Sequence, residues 1–235
     1  MQTEVIRLEA NGPDGVGLQP LDLDPDDFQS PLPVQNLHEY FRDEGGGLSV
    51  GVWDTTTMQE AFGPYPGDEF IFVLEGSFEM VDGKGGAIAA QAGDSVTFRN
   101  GIPTSWKQFG YLKKVYLTWR DPKARGPALA SADGGIIVLT VPPRTGDIVF
   151  RNDTGNMTVR YFACESLTTG LAAAKTHELL QVLHGEVRIA ESSGASQVFG
   201  AGEVAFIPQG TLCAWTAPLG FSAWRVSLVL PVAQA

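Results

Sequence analysis

Residues 69–76 read EFIFVLEG and residues 178–185 read ELLQVLHG, two short apolar runs opened by glutamate and closed by glycine. Such a run is too short for a core helix and ends on a turn residue, so each reads as a buried strand leading into a hairpin. The two lie 109 residues apart, and the same offset relates Gly93 to Gly202, Gly101 to Gly210, Trp106 to Trp215 and Val50 to Val159. It also relates Phe41-Arg42 to Phe150-Arg151 and Gly46 to Gly155. No gap interrupts this diagonal, and its identities fall on glycines and core candidates, the pattern of an internal repeat. Turn signals follow at Asp82-Gly83 and at Ser192-Ser193-Gly194. Each copy is then an all-β unit of roughly 90 residues, the size of a small barrel or jelly roll. The expected organisation is an arm over 1–27, a first barrel over 28–120, a linker over 121–136 and a second barrel over 137–235.

The bulk composition agrees with this reading. Hydrophobic residues make up 43% of the 235 and charged residues 18%, enough for two packed cores and unlike a disordered chain. A formal charge of -11 with no basic stripe repels phosphate backbones, so neither nucleic acid nor an anionic membrane is expected as a partner. There is no apolar run long enough to span a bilayer and no signal-peptide pattern at the N-terminus. Two cysteines, Cys164 and Cys213, are too few for a disulfide framework, which suits a reducing cytoplasm.

The spacings resemble the cupin superfamily. Its first motif ends in a glutamate, six residues and the hairpin glycine, as Glu69 to Gly76 and Glu178 to Gly185 do here. Its second motif runs from glycine through proline and glycine to histidine. Gly202, Pro208, Gly210 and Cys213 follow it with cysteine for histidine, while Gly93, Arg99, Gly101 and Thr104 hold those places in the first copy. Gly51-Val52-Trp53, Tyr65 to Phe70, Leu74-Glu75-Gly76, Ala92 to Ser95, Gly101, Trp106 and Lys114 are similar to the (S)-ureidoglycine aminohydrolase-like subgroup. The resemblance implies two tandem cupin (RmlC-like jelly-roll) β-barrels, a bicupin, with a homodimer as the expected assembly.

The chain departs from that family where cupins hold a metal, usually by two histidines just before the glutamate. Those places carry Gly63 and Tyr65, or Phe62 and Pro64, in the first copy. In the second they carry Ala172 and Ala174, or Leu171 and Ala173. A transition metal wants three or four N, O or S donors, so no metal and no other cofactor is expected. The candidate catalytic residues are Glu178, a carboxylate facing a barrel interior, Cys213 in the histidine's place, and His177 beside Glu178. On a regular strand His177 and Glu178 point to opposite faces, so their cooperation needs a bend. Glu69, Thr104, Trp106, Lys114 and Trp215 are the candidate ligand-binding residues, with the indoles available for stacking and Lys114 suited to a carboxylate.

Two functions stay open. One is the binding of a small polar metabolite, carboxylate- or amide-bearing, with the second barrel favoured because its motif is better kept. The other is a metal-free isomerase, lyase or amidohydrolase using Glu178 with Cys213 or His177.

Overall fold

The computed structural model describes residues 4–43, 45, 47–121, 134–141 and 144–230. Gly46 of the repeat, most of the expected linker (122–133) and the last five residues of the second copy lie outside them. The described residues form β-strands with two short 3-10 turns, Pro13–Gly15 and Pro25–Asp27. No helix among them is long and apolar enough to cross a membrane.

The repeat read from the sequence is the repeat of the fold. Leu48–Thr55 recurs as Met157–Cys164, Asp68–Glu75 as His177–His184, Ser95–Phe98 as Val204–Ile207 and Leu112–Trp119 as Phe221–Leu228, each at an offset of 109. Contacts divide the chain into two compact units, Glu9–Leu139 on one hand and Met1–Leu8 with Thr140–Ala235 on the other. Each unit is built from a larger and a smaller antiparallel sheet, so the fold is all-β in two jelly-roll halves.

In the unit Glu9–Leu139 the larger sheet runs, from edge to edge, Ile136–Val138, Ser95–Phe98, Asp68–Glu75, Leu112–Trp119, Leu48–Thr55, Gln35–Asp43 and Gln19–Pro20. The smaller carries Pro103–Gln108, Ser77–Val81 and Ala87–Gln91. Because strand side chains alternate, Ile71 and Val73 of the central strand enter the core with Phe98, Met80 and Trp106, and Glu69 shares their face. The hairpin glycine Gly76 sits at φ +83, and a Cβ there would collide with the Tyr111 carbonyl, which explains why the motif closes on glycine.

The second unit repeats this plan with Val204–Ile207, His177–His184, Phe221–Leu228, Met157–Cys164 and Ile148–Arg151. Its core is formed by Leu180, Val182, Ile189, Phe199 and Ile207, with Glu178 on their face.

The boundaries differ from those expected at two places. Residues 1–27 are not simply an arm: Val5, Ile6 and Leu8 are buried, and Ile6–Arg7 pairs with Val204–Ile207 of the second unit. Ile136–Val138, at the expected start of the second copy, instead pairs with Ser95–Phe98 of the first. The physical reason is common to both. Ser95–Phe98 and Val204–Ile207 are equivalent, fully buried strands, and an uncovered edge there would leave unpaired backbone N–H and C=O groups. The segments Val5 to Leu8 and Ile136 to Leu139 are both apolar enough to cover such an edge.

Candidate functional site

The first unit contains a cavity of about 340 Å³ between its sheets. Four strands supply its polar wall: Glu69 from Asp68–Glu75, Lys114 and Tyr116 from Leu112–Trp119, Trp53 from Leu48–Thr55, and Trp106 from Pro103–Gln108. Gly51 makes room for this arrangement. A Cβ at that position would lie 2.7 Å from the Tyr116 hydroxyl, so only glycine lets the Tyr116 ring stand over the strand.

Lys114 is the centre of the wall. Its ammonium donates to Glu69 Oε1 at 3.0 Å and lies 5.0 Å from the Trp53 ring and 4.7 Å from the Trp106 ring. The Tyr65 hydroxyl donates to the other Glu69 oxygen, and the Tyr65 ring stacks on Phe98 with centroids 4.6 Å apart. Burial and the adjacent Glu69 carboxylate push the Tyr65 phenol far above its ordinary range, so it stays a proton donor. Both indole N–H groups are satisfied by glutamines: Trp53 donates to Gln35 Oε1 at 3.2 Å and Trp106 to Gln108 Oε1 at 2.9 Å. The wall is thus a connected network whose rotamers are fixed by packing and hydrogen bonds.

Glu60 completes the lining. Its backbone is held on both sides, its N–H donating to the Trp106 carbonyl at 2.8 Å and its carbonyl accepting from Ser105 Oγ at 2.6 Å. No described side chain hydrogen-bonds to its carboxylate. Burial pushes that carboxyl up to about 7, opposed by Lys114 and reinforced by Glu69 and Asp27. A carboxyl with that affinity for protons can give or take one near neutral pH.

The residues present do not fit a resident divalent metal. Both oxygens of Glu69 are engaged, one by the Lys114 ammonium, the charge a metal would otherwise supply. Among the described residues no three His, Cys, Asp or Glu side chains form a group that could hold a metal ion.

The second unit keeps the glutamate and loses the cavity's polar interior. Tyr65 becomes Ala174, Lys114 becomes Ala223 and Trp53 becomes Phe162. Glu178 pairs instead with Arg225, which stands where the first unit has Tyr116, and the guanidinium lies 5.6 Å from the Trp215 ring. Thr176 Oγ1 also donates to Glu178 at 3.1 Å.

The residues singled out from the sequence separate accordingly. Glu69, Trp106 and Lys114 come together in the first cavity, whereas in the second unit Glu178 and Cys213 are on the core side and His177 is not with them. His177 turns to the opposite face from Glu178, its ring 6.0 Å from Phe206 and its Nδ1 accepting from the Gln209 N–H at 3.2 Å. Cys213 is buried in the hydrophobic core, and burial, then Glu178 and Glu191, raise its thiol above the ordinary range. It behaves there as a small hydrophobe. We expect Cys213→Val to cost less than about 1.5 kcal/mol in a denaturant titration, as volume-conserving core changes do. A loss near 3 kcal/mol would mean the thiol has a specific polar role. Thr104 does not line the first cavity, because its hydroxyl donates to the Val81 carbonyl at 3.0 Å. Trp215 packs at the edge of the second core and holds Arg225.

Glu60, Gln35 and Tyr116 escaped the sequence reading because no motif marks them. A signal was present in the repeat itself. At Glu60/Thr169, Tyr65/Ala174 and Lys114/Ala223 the first copy is polar and long where the second is short. Divergence between the copies marks the cavity better than identity does.

No curated protein matches the chain. Its fold is similar to that of a DUF861-family protein of unknown function from Pseudomonas syringae pv. tomato, with 19% identity, TM-score 0.69 and coverage of 96% of this chain and 100% of that one. It is also similar to Ylba of E. coli, described as DUF861, with 13% identity, TM-score 0.58 and coverage of 97% and 95%. A third similar structure is the bacterial pirin YhhW of Escherichia coli in complex with nickel(II), with 16% identity, TM-score 0.52 and coverage of 97% and 100%. A profile described as the EutQ-like cupin domain matches residues 42–116 and 170–221, more than half of the chain and the glutamate strands of both copies, so the chain belongs to the EutQ-like cupin family.

Proposed function

We propose that the first barrel binds a small metabolite carrying a carboxylate or an amide, and does so without a metal. The observation that carries this reading is the Lys114 ammonium, buried beside Glu69 and two indoles and turned into a 340 Å³ cavity. An oxyanion or amide oxygen entering that space meets ammonium N–H donors not used by Glu69. It also meets a carboxyl, Glu60, that is largely protonated below pH 7. The flat part of the ligand packs against Trp53 and Trp106, and the volume suits a small molecule. The likeness of Gly51 to Trp53 and of Tyr65 to Phe70 to the (S)-ureidoglycine aminohydrolase-like subgroup supports an amide or ureido group on that ligand. In the same reading the chain acts as a cytoplasmic homodimer, which its two free cysteines suit.

A second reading, acid–base catalysis on the bound molecule, is favoured by Glu60, whose carboxylate accepts no hydrogen bond from a described side chain. Thermal-shift screening of mono- and dicarboxylates, amides and ureido compounds tests both. A true ligand stabilises the native chain, and Trp53→Ala weakens it about tenfold or more, the loss expected of a stacking wall. Ligands that bind Trp53→Ala unchanged would remove the first barrel from consideration. Turnover that disappears in Glu60→Gln while binding persists would select the enzyme; binding without turnover selects the module.

A further inference from the structure

We infer that the second unit carries a separate site for a compact, multiply charged oxyanion, at the open end of its barrel. A groove of about 450 Å³ there is lined by Arg151, Arg160, Lys175 and Arg225 around Glu178, the only carboxylate among its described lining residues. The chain as a whole holds 27 acidic against 16 basic residues, so four cations with one acid in a single groove reverse the composition of the molecule. Glu178 is engaged by Arg225, and Arg160 donates to the Gly146 carbonyl at 3.1 Å. The charges of Arg151, Arg160 and Lys175 therefore meet no further carboxylate among the groove's described lining residues. Thr158 and Ser227 add hydroxyl donors to the same wall.

The repeat argues that this is a built feature. The groove occupies the position of the first unit's cavity mouth, and Arg151 repeats Arg42. The other three cations do not repeat: Arg160, Lys175 and Arg225 stand where the first copy has Gly51, Pro66 and Tyr116. The first cavity also carries Arg42 and Arg120 beside Lys114, and the second copy adds Arg160 and Lys175 where the first has Gly51 and Pro66. Arg225 is held in place by Glu178 on one side and the Trp215 ring on the other, so a rigid planar donor faces an incoming anion. In an acidic protein, cations clustered in a concave wall draw anions locally, and two or three charges on one compact ligand match the three cations.

Phosphate esters and polycarboxylates share this chemistry, and calorimetry on the full chain separates them. Inorganic pyrophosphate and citrate are titrated in parallel at 50 mM salt. At least one gives saturable binding, and the tighter of the two identifies the class. Raising salt to 500 mM weakens that binding severalfold, since exposed charges are screened. Arg151→Ala with Arg160→Ala weakens it about tenfold or more, and Arg160→Lys restores part of the loss. Circular dichroism and the melting temperature confirm that the double variant is folded. Arg151 and Arg160 both lie in the second unit and outside the first cavity, which keeps this test independent of the first-barrel reading. Absence of saturable heat from both anions overturns the inference. So does equal binding by the double variant.

Discussion

Lys114→Met is expected to destabilise the protein by about 3–5 kcal/mol, because it leaves the Glu69 carboxylate buried without its counter-charge. Burying an ion costs several kcal/mol after relaxation, and only a well-placed partner offsets it. In this barrel that partner is a single ammonium 3.0 Å away, supported by the Tyr65 hydroxyl on the other oxygen. Removing both charges, as in Lys114→Met with Glu69→Gln, takes away the attraction and the desolvation penalty together. The double variant is expected within about 1.5 kcal/mol of the native chain. Guanidinium unfolding of all four members of the cycle measures the coupling. A single-variant loss below about 1 kcal/mol would place the pair in solvent-like surroundings and remove the reason for treating Lys114 as a substitute for metal charge.

Glu60→Gln carries the second large effect, and its sign depends on pH. The folded chain holds the Glu60 proton to about 7 against an ordinary value of 4.5, because ionising it in the cavity wall is unfavourable. Folding therefore favours the protonated form. The stability that goes with it is complete below about pH 4.5 and is lost as pH rises through 7. Glutamine is neutral at every pH, so the variant matches the native chain near pH 4 and exceeds it above pH 8 by about 2–3 kcal/mol. Melting curves from pH 4 to 9 test this, and parallel curves for the two proteins would mean that Glu60 is solvated. The same proton bears on binding. If Glu60 donates to a bound carboxylate, affinity in the native chain falls by up to about tenfold per pH unit above 7, while in Glu60→Gln it stays flat.

These effects all belong to one barrel, although the second keeps the better motif. Gly202, Pro208 and Gly210 preserve the cupin turn in that copy, and a turn motif reports backbone geometry. It says nothing of what fills the interior. Cys213 stands in the histidine's position and packs in a core with Val182, Ile189 and Phe199, where burial holds its thiol protonated. His177 illustrates a related limit. Its neighbour Glu178 enters the barrel, and strand alternation then sends His177 to the other side, against Phe206.

The amino-acid sequence alone determined the all-β class, the repeat at 109 residues and the inward glutamates. All three follow from local rules: apolar runs ended by glycine, ungapped spacing and two-residue alternation. Only the tertiary structure decided which strands close each unit. Ile6–Arg7 and Ile136–Val138 pair with strands far from where sequence order would put them, and nothing local names a partner for an apolar segment. Only the tertiary structure also decided the chemistry of the two interiors. Glu60, Tyr65, Glu69 and Lys114 are separated in the chain and gain their properties from one another through burial and distance. The same glutamate faces an ammonium in one copy and a guanidinium in the other for the same reason.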